Sequence, residues 1–564
     1  MSIDKSDSQE FNQKFADGSE SKSVSRWQSH VDATTSFVDR HPFPGHPDVN
    51  AGIVHMMGSS GDMAIATTGV QDFGSAGSHA IDGNTMFGEG SIGKVRFAGL
   101  GYMLQQDGAM DMQANASALF AEPGFKDFIN QKYGESHPTG ADGVDIGTQV
   151  QQQIASSFTG NSSHATLADL TTHYSGVGDL TRDQFVVIRR DGIEKLYDFP
   201  TLIAPVEGAV VPRDEHGKPR AQSSPDTPND KLPQAEYGKH QYSNLGYAMF
   251  AEAMEYSYQK AQKENPEQFP QKADESLTTY KDLLNDYMLH PTRGHAAKSG
   301  LSFDNTKFPE QLAPGDNVFA ATRFDETGKG DLANANVFTG ASAAGGMFAS
   351  ASDSSKFFSE FFKGFPGTPE YGKVDNPFFT KETIQSMEQE WKKRPADPNT
   401  KDATKDQAPY HGSYQGPGFV ARVEDGVVTR YDKGGDTFSY GSMMTFQPKE
   451  NVVSIDMKGR ENITPTIAKD LGITTEQLMG AYQKDGKFDR TSLFNDYKEK
   501  GIDEIKFKVD LEGVTKGMAN LNINEAKEAA KNLKGVQLQE AGNSIAKSDS
   551  SPSVSQKKQQ DIEK

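Results

Sequence analysis

A chain of 564 residues, 35% of them hydrophobic, can hold one large domain with appendages or two to three ordinary domains. Its net charge of -20 at pH 7 argues against nucleic acid and anionic membrane surfaces as partners, because phosphate binding needs concentrated Lys and Arg. With no cysteine, disulfides, thiolate catalysis and Cys-ligated metals are excluded.

In chain order, residues 1–28 are rich in Ser, Asp, Lys and Gln and read as a disordered arm. The first ten residues contain no apolar core that a secretion machinery could read. No run approaches the roughly eighteen apolar residues of a membrane helix. The expected location is therefore cytoplasmic, with signal-peptide-independent export as the alternative. A short helix from about Val31 closes at His41-Pro-Phe-Pro-Gly45. Two apolar runs at 53–57 and 63–70, joined by Gly-Ser-Ser-Gly-Asp, read as a β-hairpin. Asp82-Gly-Asn then turns the chain into a helix with Leu100, Met103 and Leu104 on its apolar face, stopped by Asp107-Gly108.

Residues 166–177 read as a helix ending in a turn, and a polar insertion occupies 212–238. Strong helical patterns open at Tyr242 and at Thr279, the second ending before Pro291. The small-residue stretch 340–353 leads into a helix at 357–362, whose aromatics are expected in the core. A second polar insertion spans 393–408. Residues 416–424, 426–431, 440–447 and 452–457 alternate apolar and polar side chains and read as an antiparallel meander. The pattern turns helical over 461–540 and ends in a polar tail at 541–564. The expected architecture is α+β: one domain at 29–460, with an antiparallel sheet built from the first hairpin and the last strands, flanked by helices and a helical subdomain. A C-terminal helical extension comes after it; a protein partner for 461–540 has no support in the residues themselves.

The chemistry concentrates at Ser91-Ile-Gly-Lys94. Residues three apart on a helix share a face, so this hydroxyl and amine can touch, and an adjacent base turns a serine into an acyl acceptor. The spacing alone is common: Ser2, Ser19, Ser257, Ser544 and Ser555 also precede a lysine by three residues. Ser91 is singled out by the order of the segments C-terminal to it: His173-Tyr-Ser-Gly176, Tyr242-Ser-Asn244, Gly345-Gly346 with Asp353, and Lys433-Gly-Gly435. Tyr242-Ser-Asn244 is the chain's one Tyr-x-Asn. Lys298-Ser-Gly300 and Lys484-Asp-Gly486 share the Lys-x-Gly pattern, but Lys433 lies between two strand patterns late in the domain. The thirteen histidines show no His-x-x-x-His, and neither a metal nor another cofactor is expected.

From about Phe37 to Met457 this series resembles the serine β-lactamase superfamily, within it the class C β-lactamase, D-alanyl-D-alanine carboxypeptidase and esterase branch. The resemblance implies that Ser91 is acylated, with Lys94 beside it as proton partner. It implies Tyr242 as base or relay and Asn244 as the group that orients Lys94 and a substrate amide. Lys433 would sit on an edge strand facing Tyr242, and the backbone N–H groups of Ser91 and Asp436, after Gly435, would form an oxyanion hole. Two lysine cations beside Tyr242 would favour its phenolate. His173 is read as shaping a turn. The implied function is a serine hydrolase acting by an acyl-enzyme on an amide or ester substrate, of esterase, D-amino-acid peptidase or β-lactamase type. A catalytically weak or inactive scaffold of the same fold, exported as a bacterial effector, is the alternative; residues 544–564 resemble C-terminal signals for type IV secretion, although a plain disordered terminus explains them more simply.

Overall fold

The computed structural model describes residues 52–59, 62–68, 80–137, 143–179, 189–190, 193–194, 198–203, 235–313, 315–319, 321–324, 330–333, 342–394, 412–436, 440–459, 483–484 and 487–488. The arm at 1–28, the helix from Val31, the tail at 541–564 and nearly all of the two insertions lie outside the described residues. Of 461–540, only Gln483–Lys484 and Lys487–Phe488 are described, and they pair as short antiparallel strands.

The first hairpin forms as β1 (Gly52–Ser59) and β2 (Asp62–Thr68). Late in the chain come β3 (Lys392–Lys393), β4 (Gly412–Gln415), β5 (Val420–Glu424), β6 (Val427–Asp436), β7 (Tyr440–Gln447) and β8 (Val452–Gly459). The expected meander is present, and β8 closes it onto β1 with Met56 opposite Ile455. The result is one antiparallel sheet in the order β3-β4-β5-β6-β7-β8-β1-β2. A short second sheet places Phe348–Ser350 between Met86–Gly88 and Thr306–Lys307, directly before the Ser91 segment.

The helices that matter for the site are α1 (Gly93–Asp107), α2 (Pro123–Tyr133), α3 (Leu167–Thr172), α4 (Asn244–Glu264) and α5 (Ala351–Phe361). Their ends follow their sequences. Thr166 and Asp169 form a capping box at α3, Ser243 caps α4 through its hydroxyl, and Gly108 ends α1 in the left-handed conformation. The stretch from Thr279 starts as a capped helix and finishes in a π-helical turn, Asn285–Leu289. The sheet packs against aromatics after α5: Phe362 stacks on Tyr431 and Phe446 with centroids 4.7 and 5.3 Å apart. These rings are core, as expected.

Helix α1 departs from its expected one-sided pattern. Every residue from Gly93 to Leu104 is buried, so α1 runs through the centre of the domain rather than along one side of it. Two charged side chains, Lys94 and Arg96, are fully enclosed with it.

A second departure concerns β6. The expectation of an edge strand holds for only half of it. Strand β6 pairs with β5 from Val427 to Asp432 and with β7 from Tyr431 onward, so Tyr431 and Asp432 have partners on both sides, and the last β5 pair is Val420 with Asp432. From Lys433 to Asp436 only β7 pairs with it. Among the described residues the outer edge of Lys433–Asp436 has no strand partner, so the strand is interior where it supports the core and open where it approaches Ser91.

Candidate active site

Ser91 sits in a 3-10 turn, Gly90–Ile92, that continues directly into α1. That placement puts its side chain at the positive end of a helix, where developing negative charge is favoured. Lys94, one turn on, points back to it: Nζ lies 3.1 Å from Ser91 Oγ. Tyr242 ends the segment before α4, and its hydroxyl is 2.6 Å from Ser91 Oγ. Asn244, the first residue of α4, accepts from Lys94 through Oδ1 at 2.7 Å. The carbonyl of Ala344, in the short helix Ser342–Gly345, accepts the remaining Lys94 hydrogen bond. Lys433 Nζ lies 5.3 Å from the centre of the Tyr242 ring and Lys94 Nζ 5.0 Å from it. Ser91, Lys94, Tyr242, Asn244 and Lys433 thus meet around one point. The alternative Lys298 is exposed on a separate 3-10 turn, and Lys484 lies on the isolated strand pair.

Backbone proximity explains the glycines. A methyl group on Gly435 would stand 1.9 Å from the carbonyl oxygen of Glu89, so only glycine lets β6 press against the Ser91 turn. Ser442, opposite Gly435 on β7, ties the same carbonyl down at 2.6 Å. Gly345 also meets Gly90 closely, since its Cβ would lie 2.8 Å from the Gly90 carbonyl carbon. Gly434 is different: it is exposed and nothing crowds it. Asp436 ends β6 opposite Gly441, one residue past the Gly435 contact. Asp353, by contrast, is a structural group: its Oδ2 accepts from the Asn305 N–H at 2.7 Å.

His173 shapes a turn, as expected, and does more. It ends α3 in the left-handed conformation, its Nδ1 accepts the Ser243 N–H at 3.2 Å, and its ring packs on Tyr242 at 4.5 Å. Burial, then the charges of Lys433 and Lys94, hold its pKa well below the usual histidine value, so the ring is neutral at pH 7. With Nδ1 accepting, the proton resides on Nε2.

The electrostatics change one expectation, that of two full lysine cations beside Tyr242. Burial, then the nearby Lys433, hold the Lys94 ammonium well below the usual lysine range, with Asp179 opposing. Burial and Arg394 bring Lys433 down to about 7. An enclosed pair of like charges sheds a proton more readily than it holds two.

Three further groups escape the sequence patterns. Asp179 receives both the backbone and side-chain N–H of Asn244, at 2.7 and 3.0 Å. Glu89 and Arg96 form an enclosed ion pair at 3.2 Å around the Ser91 turn, and the Arg96 guanidinium also lies 4.0 Å from the Phe357 ring centre. The seven-residue spacing of Glu89 and Arg96, two helical turns, is a usable signal for that pair; Asp179 leaves none.

Among the described residues no group of three or more His, Asp and Glu could hold a metal, and no helix is long and apolar enough to cross a membrane. Residues 50–457 match the family model described as Beta-lactamase. Among solved structures, the octameric penicillin-binding protein homologue from Pyrococcus abyssi aligns at 16% identity over 79% of this chain and 78% of that one, with a TM-score of 0.47. The D-amino acid amidase from Ochrobactrum anthropi SV3 complexed with L-phenylalanine amide aligns at 14% identity over 77% and 90%, TM-score 0.45. The penicillin binding protein from Bacillus halodurans aligns at 15% over 72% and 90%, TM-score 0.42. No curated protein matches the chain.

Proposed function

The chain belongs to the Beta-lactamase family, and on that premise we propose that it is a serine hydrolase that cleaves an amide or ester through an acyl-enzyme on Ser91. The observation that carries this reading is the contact of one serine hydroxyl with two proton-transfer groups, Tyr242 at 2.6 Å and Lys94 at 3.1 Å.

A neutral Lys94 has two hydrogens and one lone pair. Asn244 Oδ1 and the Ala344 carbonyl can only accept, so they take the two hydrogens. The lone pair is left for Ser91, whose hydroxyl can donate. In this reading Lys94 takes the proton as Ser91 Oγ bonds to the acyl carbon. Charge on the acyl oxygen falls to the backbone N–H groups of Ser91 and Asp436 as the oxyanion hole. The acyl bond to the leaving nitrogen or oxygen then breaks, and that atom leaves with a proton relayed through Tyr242. Water repeats the sequence to release the acid and restore Ser91. The open edge of Lys433–Asp436 suits an extended substrate lying beside the nucleophile.

The test is covalent labelling with a fluorescent penicillin and with an activated ester, read by intact mass. One acyl adduct is expected on Ser91, absent in Ser91→Ala. Absence of any adduct with both classes in the wild-type chain would favour a binding scaffold that keeps the fold.

A further inference from the structure

We propose that Asp179 is a positioning residue of this site, fixing which end of the Asn244 side-chain amide faces Lys94. The inference rests on the hydrolase reading for its rate effects only. Beyond the His173–Ser243 contact, Gly178 and Asp179 staple the loop after α3 to the start of α4. Ser243 Oγ donates to the Gly178 carbonyl at 2.9 Å. Asp179 Oδ1 accepts the N–H groups of Asn244 at 2.7 Å and Leu245 at 3.4 Å, and Asp179 Oδ2 accepts from Asn244 Nδ2 at 3.0 Å.

The chemistry of that last contact is selective. An asparagine amide presents an acceptor and a donor of nearly equal size, and packing alone distinguishes them weakly. An ionised carboxylate only accepts, so it draws Nδ2 outward. Oδ1 is then turned inward, where it accepts from Lys94 at 2.7 Å. The reversed amide would aim an N–H at the Lys94 amine and remove one of its two fixed acceptors. Lys94 would then be free to rotate away from Ser91. Asp179 thus acts at two removes, through Asn244 and Lys94, on the nucleophile.

It acts by charge as well. The charged and titratable groups around Lys94 are Lys433 from β6, Tyr242 and Tyr247 at the start of α4, His173 after α3, Ser91 in its own turn, and Asp179. Asp179 supplies the favourable charge for the Lys94 ammonium, against burial and Lys433. Removing it makes the ammonium still harder to hold.

Asp179→Asn keeps the shape and removes the selection. Its acylation rate constant is expected to fall on the order of 10²-fold with little change in KM, and the acid limb of the rate–pH profile is expected to move to lower pH. A rate within twofold of wild type, or a loss with an unmoved pH profile, overturns the proposal. Titration of Lys94 by NMR in 13C-lysine-labelled protein reads the same contact without catalysis. A lower Lys94 pKa in Asp179→Asn is expected, and an unmoved one overturns the inference even if the wild-type chain acylates nothing.

Discussion

Helix α4 is flanked by two lysines, one enclosed and one largely covered, and their surroundings move their pKa values in opposite directions. At its N-terminus Lys94 meets the neutral oxygens of Asn244, Ala344 and Ser91. Further along, Lys132 from α2 meets two carboxylates of α4, Glu252 at 2.8 Å and Glu255 at 2.7 Å. Burial lowers the pKa of both. At Lys132 the charges of Glu252 and Glu255 overcome it and hold the ammonium above the usual lysine range. At Lys94 burial is reinforced by Lys433 and only weakly opposed by Asp179. The difference teaches that burial alone does not set a lysine's protonation; the charge of its nearest partners does. One cluster is built as a fixed ion pair network, the other as a site where protons can move.

The largest test of that contrast removes each lysine amine. Lys94→Met is expected to lower the acylation rate on the order of 10³-fold, the scale of a lost proton-transfer group. Its unfolding free energy is expected to stay equal or rise, because a buried amine whose charged form is disfavoured by burial and by Lys433 leaves the interior. Lys132→Met leaves two carboxylates enclosed without a cation and is expected to cost roughly 3–5 kcal/mol of stability. Its folded fraction is expected to acylate at nearly the wild-type rate. Urea unfolding and single-turnover acylation on the same variants check both, and a large stability loss in Lys94→Met would break the comparison.

Protonation gives a second, smaller test with opposite signs on either side of neutral pH. Glu255 is raised from 4.5 to about 7 by burial first and then by Glu252, with Lys132 opposing. Between those values the folded protein holds a proton that the unfolded chain has lost, so its contribution to stability falls as pH rises from 4.5 to 7. Lys433 is lowered from 10.5 to about 7, so between 7 and 10.5 the unfolded chain holds the extra proton and stability rises with pH. The contribution is on the order of 3 kcal/mol for Glu255 and on the order of 5 kcal/mol for Lys433 over their windows. Glu255→Gln is expected to flatten the acid-side slope alone and Lys433→Met the alkaline-side slope alone. Unfolding curves across pH measure both, and a slope change in the wrong window refutes the assignment.

How much of each cluster the sequence exposes depends on the same contrast. Ser91, Lys94, Tyr242, Asn244 and Lys433 are legible because each stands at a helix start or late strand and in a short local pattern. The hairpin, the meander and the closing of the sheet by β8 onto β1 are legible for the same reason, since period-two alternation is a local signal. Lys132, Glu252 and Glu255 look like ordinary solvated charges on helices, and only the packing of α2 on α4 encloses them. Asp179 lies 65 residues before Asn244 and carries no periodicity that links the two. The half-open edge of β6 is equally invisible, because it depends on where β5 begins pairing, at Val420. Contacts set by tertiary approach leave no spacing rule to read.

The smallest test compares two tyrosine hydroxyls beside the two lysines. Tyr133 donates to the carboxylate of Glu252 at 2.7 Å, while Tyr247 donates to the Thr171 carbonyl at 2.8 Å with its ring facing Lys94. A hydrogen bond to a charged acceptor contributes roughly 1.5–3 kcal/mol and one to a neutral acceptor roughly 0.5–1.5 kcal/mol. Tyr133→Phe is therefore expected to destabilise the fold more than Tyr247→Phe, although Tyr247 is fully buried and Tyr133 only partly, and both aromatic rings are retained. The reverse order would mean that the Lys132 network is not the more strongly charged of the two.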